Sequence, residues 1–142
     1  MTTTLQPASA DEVLEVVRRA AAERVALEIV GGGSRRGVGR PVAAEHALDL
    51  SGLSGVTLYE PEELVLSAGA GTPLHEIEAL LAASGQELAF EPMDHGPLLG
   101  GEAGRSTIGG VLAANACGPR RIKAGAARDH VLGIHAVSGR GE

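Results

Sequence analysis

The first periodic stretch of the chain opens at Ser9. Ser9-Ala10-Asp11-Glu12 has the form of a capping box, and Val13, Val16, Val17 and Ala20 follow at helical spacing, which predicts a helix to about Ala22. The apolar run 27–30 is too short for a helix and reads as a buried strand that ends in glycines, and 47–50 reads as another, closed by Ser51-Gly52. Two β-rich runs, 55–60 and 63–68, flank Pro61-Glu62 and predict an antiparallel pair. Thr72 as cap and Pro73 as first residue predict a helix with Leu74, Ile77, Leu80 and Leu81 on one face, stopped by Ser84-Gly85. Residues 88–90 read as a brief strand, 91–105 as a loop, and 129–138 alternate enough to be a last strand. A strand followed at once by Gly139-Arg140-Gly141-Glu142 predicts that the fold continues past residue 142.

Two junctions in this pattern carry chemistry. The strand at 27–30 runs into Gly31-Gly32-Gly33-Ser34-Arg35-Arg36-Gly37. Glycines admit positive φ and close approach to a ligand, and successive N–H groups in such a turn converge on an anion. Ser34 adds a donor, and Arg35 and Arg36 add charge. The carboxyl end of a strand that follows a helix is also where α/β proteins place their ligands. The dinucleotide fingerprint G-x-G-x-x-G fails because Arg36 stands where its last glycine belongs, and a Walker A loop fails because Gly37 is followed by Val38 and Gly39. Gly37-Val38-Gly39-Arg40-Pro41 cannot begin a helix of any length. A glycine-rich surface turn with solvated arginines is the competing reading.

At the second junction, Ser106-Thr107-Ile108-Gly109-Gly110, Ser106 or Thr107 can cap a short helix from Ile108, whose glycine-bearing first turn would leave N–H groups open to an anion. The alternative is a small-residue helix packed tightly on a strand. A pyrophosphate, with two negative groups, is well held from two such sides.

Composition narrows the partners. The chain has 142 residues, enough for one domain with a core or for part of a larger protein. Phe90 and Tyr59 stand alone and Trp is absent, so a ligand would rest on aliphatic and backbone surfaces. A formal net charge of −6 argues against nucleic acid, and the arginines at 35, 36, 40, 120 and 121 sit beside glycines as local anion sites. The single Cys117 excludes an internal disulfide, fits a reducing compartment and reads as a buried, inert thiol. Neither a signal peptide nor an apolar run near the roughly twenty residues of a membrane helix is visible. A cytoplasmic location follows as the expectation, with membrane association only through partner subunits.

Metal and hydrolase chemistry find little support. His130 and His135, five apart in the expected strand, would face opposite ways. Glu91, Asp94 and His95 lack a partner motif for a metal, His46 and His75 read as surface residues, and no serine lies in a Gly-x-Ser-x-Gly elbow.

Five further segments bear on kinship: Gly39-Arg40-Pro41-Val42, Glu62-Glu63-Leu64-Val65-Leu66, Gly71-Thr72-Pro73-Leu74, Gly118-Pro119-Arg120-Arg121, and Arg128-Asp129 with Val131-Leu132-Gly133. On these, and on the order of elements, the chain resembles the FAD-binding domain of the vanillyl-alcohol oxidase and p-cresol methylhydroxylase (PCMH-type) superfamily. Within it, the chain is most similar to the FAD-binding subunits of bacterial glycolate oxidases. The resemblance implies an α+β domain of two small subdomains, about 1–70 and about 71–142, the second incomplete, with FAD between them and its pyrophosphate on the first glycine loop. The implied cofactor contacts are Gly31, Gly32, Gly33, Ser34 and Arg35, then Ser106, Thr107, Ile108, Gly109 and Gly110, with Gly118, Asp129 and Val131 on the adenosine or flavin side.

Some members of the superfamily tether the flavin through a histidine in the first loop. Ser34 and the arginines there imply non-covalent binding. Members also continue into a substrate domain, so the catalytic residues on the substrate side are expected outside these 142 positions. The implied activity is oxidation of a small 2-hydroxy acid such as glycolate. Its partners would be a second FAD subunit and an iron-sulfur subunit, since no cluster-type cysteine spacing occurs here. The same resemblance leaves open D-lactate or a cell-wall precursor as substrate, or a non-catalytic flavin-carrying assembly subunit.

Overall fold

The computed structural model describes residues 2–142, and the chain is α+β with two small sheets. Helix α1 (Ala10–Glu23) forms where its cap predicts. Ser9 Oγ accepts the Glu12 N–H at 3.2 Å, the Glu12 carboxylate accepts the Ala8 N–H at 2.8 Å, and Arg24 ends the helix in the left-handed region. Its inner face buries Val13 and Ala20.

The first sheet is parallel, ordered β1-β3-β2, from β1 (Thr3–Leu5), β2 (Leu27–Val30) and β3 (His46–Asp49). Leu48, 1% exposed, sits at the middle, opposite Leu5 on one side and Ile29 on the other. Strand β1 has too few residues to show a period, and it exists because β3 offers it an edge. His46, expected at the surface, is half-buried in the central strand, and its Nδ1 is buried with no partner. The crossover from β2 to β3 is the glycine loop itself and carries no helix.

Strands β4 (Val56–Glu60) and β5 (Val65–Ala68) form the expected antiparallel pair, joined by a 3-10 turn at Pro61–Glu63. Gln86, just past α2 (Leu74–Ala83), holds the hairpin by accepting from Tyr59 Oη at 2.8 Å and donating to Pro61 O at 2.7 Å.

Thr72 does not cap α2. Pro73 is the N-cap, without a side-chain bond, and the Thr72 side chain turns toward the hairpin instead. Fully buried itself, Thr72 accepts the Gly55 N–H through Oγ1 at 2.9 Å and donates to Gly69 O at 2.7 Å, which satisfies its own hydroxyl and ties the hairpin to the start of α2. Thr72→Val therefore orphans the Gly55 amide and lowers stability by about 1–3 kcal/mol, read as a shift of the urea midpoint.

Leu74, Ile77 and Leu81 of α2 are buried, and Leu74 joins Phe90, Val111, Ala116 and Ala127 in the main core cluster. Val111 comes from α3 (Ile108–Ala113), and a short α4 (Arg121–Ala124) and a 3-10 turn at Ala127–His130 follow. Neither of the last two expected strands forms. Residues 88–90 are irregular and serve to bring Phe90 into the core, where its carbonyl accepts the Gly118 N–H at 2.8 Å. Residues 131–138 pair with no strand among the described residues, because alternation without a partner edge cannot make a ladder. The opposite-face argument for His130 and His135 lapses with that strand. His130 instead bonds Ala124 O through Nε2 at 2.7 Å and packs on Phe90, ring centroids 5.2 Å apart.

Candidate functional site

The first glycine loop leaves β2 at Val30 and turns through Gly33, the one of its three consecutive glycines with a left-handed φ, +75°. Two bonds close the turn, Arg36 N–H to Gly33 O at 3.2 Å and Val38 N–H to Arg35 O at 3.0 Å. They leave the N–H groups of Gly32, Gly33, Ser34 and Arg35 without a backbone acceptor among the described residues. Gly31 and Gly32 are required for another reason. A Cβ on Gly31 would lie 2.5 Å from Thr107 Oγ1, and one on Gly32 would overlap the Arg105 carbonyl. The close approach these glycines permit is that of the second segment.

Three bonds hold the segments together: Ser34 Oγ with Ser106 Oγ at 3.3 Å, Arg35 Nη1 to Gly110 O at 3.1 Å, and Arg105 Nε to Gly32 O at 3.0 Å. A groove of about 480 Å³ opens beside this seam. Val30, Gly31, Gly32, Gly33, Ser34, Arg36 and Gly37 line one wall with Asp49 at the end of β3, and Leu99, Gly101, Glu102 and Arg105 line the other, while Arg35 and residues 106–110 lie outside the lining.

The two arginines differ. Arg36 is exposed and forms a two-pronged pair with Glu28, Nε to Oε1 at 2.8 Å and Nη2 to Oε2 at 2.6 Å, so its charge is already met. Arg35 has no carboxylate in contact. Burial pulls its pKa down, the field of Asp94 partly offsets this, and its Nη2 is buried with no partner. A guanidinium in that condition favours an anion.

Asp94, considered only as a metal ligand from the sequence, proves to organise the second wall. Its carboxylate accepts the Gly104 N–H at 2.7 Å, the Gly96 N–H at 3.0 Å and the Ser106 hydroxyl at 3.1 Å. The bond to Gly96, two residues on, is an Asx turn that the Asp94-His95-Gly96-Pro97 run could have announced. These bonds, the Gly104 amide first and Gly96 next, hold the carboxyl below its ordinary value. A depressed folded-state pKa gives stability that is complete above the unfolded value, about 4, and is lost as pH falls through the folded value. An acid titration followed by circular dichroism should show Asp94→Asn losing less stability than the wild type below about pH 4.

The second segment forms the expected short helix from Ile108, and of the two candidate caps Thr107 is the one used, with Oγ1 accepting the Gly110 N–H at 3.3 Å; its amides depart from expectation. The first-turn amides expected to stand open are occupied, Ile108 N–H by Thr72 O at 3.0 Å and Gly109 N–H by Ala70 O at 2.9 Å. A Cβ on Gly109 would crowd Ala70, so this short helix is packed tightly, as the alternative reading had it. What the segment offers the first loop is the Ser106 hydroxyl, the Gly110 carbonyl and the Thr107 side chain.

Like Arg35, Ser106, Thr107, Ile108, Gly109 and Gly110, the expected contacts Gly118, Asp129 and Val131 do not line the groove, and these last three are not part of the seam either. Gly118 packs on Glu91, whose carboxylate takes the Arg120 N–H at 3.1 Å and Nε at 2.8 Å, and Asp129 accepts the Ala126 N–H at 2.8 Å. Glu91 and Asp94 are thus both engaged elsewhere, and no group of three His, Cys, Asp or Glu able to hold a metal occurs among the described residues. Cys117 is only partly buried.

Among the described residues, no helix is long and apolar enough to cross a membrane. The glycolate oxidase subunit GlcE of Escherichia coli (strain K12) is 42% identical over 130 residues, covering 92% of this chain and 35% of that protein. The D-2-hydroxyglutarate dehydrogenase of Xanthomonas citri pv. viticola is 37% identical over 139 residues, covering 96% of this chain and 27% of its own length. The chain thus spans 35% or less of both relatives. An alkyldihydroxyacetonephosphate synthase structure superposes with a TM-score of 0.68 at 26% identity, over 89% of this chain and 23% of that one. A variant of Phl p 4, a glucose oxidase, gives 0.74 at 16% identity over 98% and 27%, a likeness of fold. The family model described as FAD binding domain matches residues 2–142. With that match running through both glycine segments, the chain belongs to the FAD binding domain family of oxidoreductases, PCMH-type, and its cofactor is FAD.

Proposed function

We propose that this chain is the FAD-binding part of an oxidase or dehydrogenase of small 2-hydroxy acids, with glycolate as substrate, and that it binds FAD non-covalently in the groove lined by the first glycine loop, beside its seam with the second glycine segment. The observation that carries the site is the groove wall of Gly32, Gly33 and Ser34, whose N–H groups have no backbone acceptor among the described residues, followed in the chain by Arg35, whose Nη2 has no partner among them. That donor set fits a pyrophosphate: a run of N–H groups with a guanidinium at its end, while the Ser34 hydroxyl ties the loop to Ser106. Gly31, Ser106, Thr107 and Gly110 build the seam that holds those donors in place, and Ile108 and Gly109 anchor it to Thr72 and Ala70 in the turn before α2. The family resemblance alone supports Gly118, Asp129 and Val131 as contacts to the rest of the dinucleotide.

FAD, when bound, supplies acceptance of a hydride equivalent, and the chain's own residues bind and orient it. The 42% identity to GlcE supports glycolate and an assembly with partner subunits, and the family resemblance alone supports a second FAD subunit and an iron-sulfur subunit among them. The D-2-hydroxyglutarate dehydrogenase relative, and a D-lactate dehydrogenase of Archaeoglobus fulgidus at 30% identity, support other 2-hydroxy acids as the second reading.

Anaerobic flavin bleaching of the full-length protein, alone and with its partner subunits, separates these readings. Glycolate should bleach it fastest, ahead of D-lactate, D-2-hydroxyglutarate and the cell-wall precursor. Faster bleaching by another acid would move the substrate assignment, and bleaching only in the complex would make this chain a flavin carrier.

A further inference from the structure

Residues 94–104 form a loop whose two ends meet on one carboxylate. Asp94 accepts the Gly96 N–H through Oδ1 and the Gly104 N–H through Oδ2. Inside the loop, Gly101 N–H donates to Gly96 O at 2.8 Å, and a Cβ on Gly96 would overlap the Glu102 carbonyl, so the turn is tightly folded. Its body supplies Leu99, Gly101 and Glu102 to the groove, opposite the first glycine loop. Asp94 Oδ1 also accepts the Ser106 hydroxyl proton, which leaves the Ser106 oxygen to receive the Ser34 hydroxyl 3.3 Å away. One side chain therefore sets both the wall of the groove and the hydroxyl that reaches Ser34, without lining the groove itself.

On the reading of the groove as the pyrophosphate site, we propose that Asp94 is a positioning residue for that site, acting on Ser34 through Ser106 and on the facing wall through the closed loop. Asn at this position keeps an acceptor for Gly96 and Ser106 but turns a donor toward the Gly104 N–H, so one end of the loop comes free. Ala frees both ends and the Ser106 hydroxyl.

The test is FAD affinity, by fluorescence titration, of the full-length protein carrying Asp94→Ala, Asp94→Asn, Ser34→Ala, and Ser34→Ala in each Asp94 background. Asp94→Ala should weaken FAD binding about tenfold, and Asp94→Asn by an intermediate factor, from the loss of charge-assisted bonds. Ser34→Ala, which weakens binding in the wild type, should have little further effect in the Asp94→Ala background, because the two residues act in one chain. Affinity within twofold of wild type for Asp94→Ala, or a full Ser34→Ala effect in its background, overturns the proposal. Should Asp94→Ala fail to fold, Asp94→Asn, which frees the Gly104 end alone, tests the wall, and FAD affinity unchanged from wild type in it overturns the proposal. Arg35→Met separates the two levels: if it too retains FAD, the groove reading fails, and if it loses FAD while Asp94→Ala does not, only the role of Asp94 fails.

Discussion

Replacing Gly32 with valine should yield a full-length protein that purifies without bound flavin. Gly32 and the Arg105 carbonyl are already packed with no room for a Cβ, and the overlap is with backbone, which cannot swing aside. The two segments must separate, which breaks the Arg105 to Gly32 bond and draws Ser34 from Ser106 and Arg35 from Gly110. Each lost contact is worth on the order of 1 kcal/mol, more where a charge is involved, so together they amount to a loss of FAD affinity of about a hundredfold or greater. Gly33→Val should behave alike for a different reason, its left-handed φ of +75°, where a β-branched residue is strained. The measurement is the ratio of flavin to protein absorbance after purification, with circular dichroism to confirm that helices remain. A yellow Gly32→Val protein would remove the seam from the cofactor site.

Arg35→Met is the second large effect, and it acts mainly on binding. Methionine fills similar space without the charge, so FAD affinity should fall about tenfold to a hundredfold, the range of one charge-assisted contact to phosphate. The free protein loses the Nη1 bond to Gly110 O but also the buried Nη2 that lacks a partner among the described residues, so its stability should change by no more than about 1 kcal/mol. Titration calorimetry with FAD and thermal melting without it give the two readings. Arg36→Met should leave FAD affinity nearly unchanged, since its guanidinium is already committed to Glu28. A loss in Arg36→Met as large as in Arg35→Met would reverse the assignment of these neighbours.

That difference between Arg35 and Arg36 marks where reading the chain stops. Both stand in one run of glycines and look alike in sequence, yet one pairs with a carboxylate eight residues back and the other reaches a carbonyl 75 residues on. The capping box at Ser9, the apolar runs of β2 and β3, the hairpin and the glycine loop were legible because each rests on interactions within a few residues. Thr72 misled for the converse reason. It has the residue type of a cap, but its hydroxyl serves Gly55, 17 positions away. The strand expected over 129–138 had the pattern and lacked an edge, while β1, with almost no pattern, had one.

By itself, then, the sequence determined the local elements and the chemical character of the two glycine stretches, since caps, periodicity and glycine freedom are properties of neighbouring residues. The tertiary structure alone decided that those stretches meet, which arginine is left wanting an anion, that the α3 amides are occupied, and that Asp94 closes the facing wall. The physical reason is distance along the chain. The bonds of the seam join residues 72 to 75 positions apart, and which donors remain free depends on where the rest of the chain has placed its acceptors.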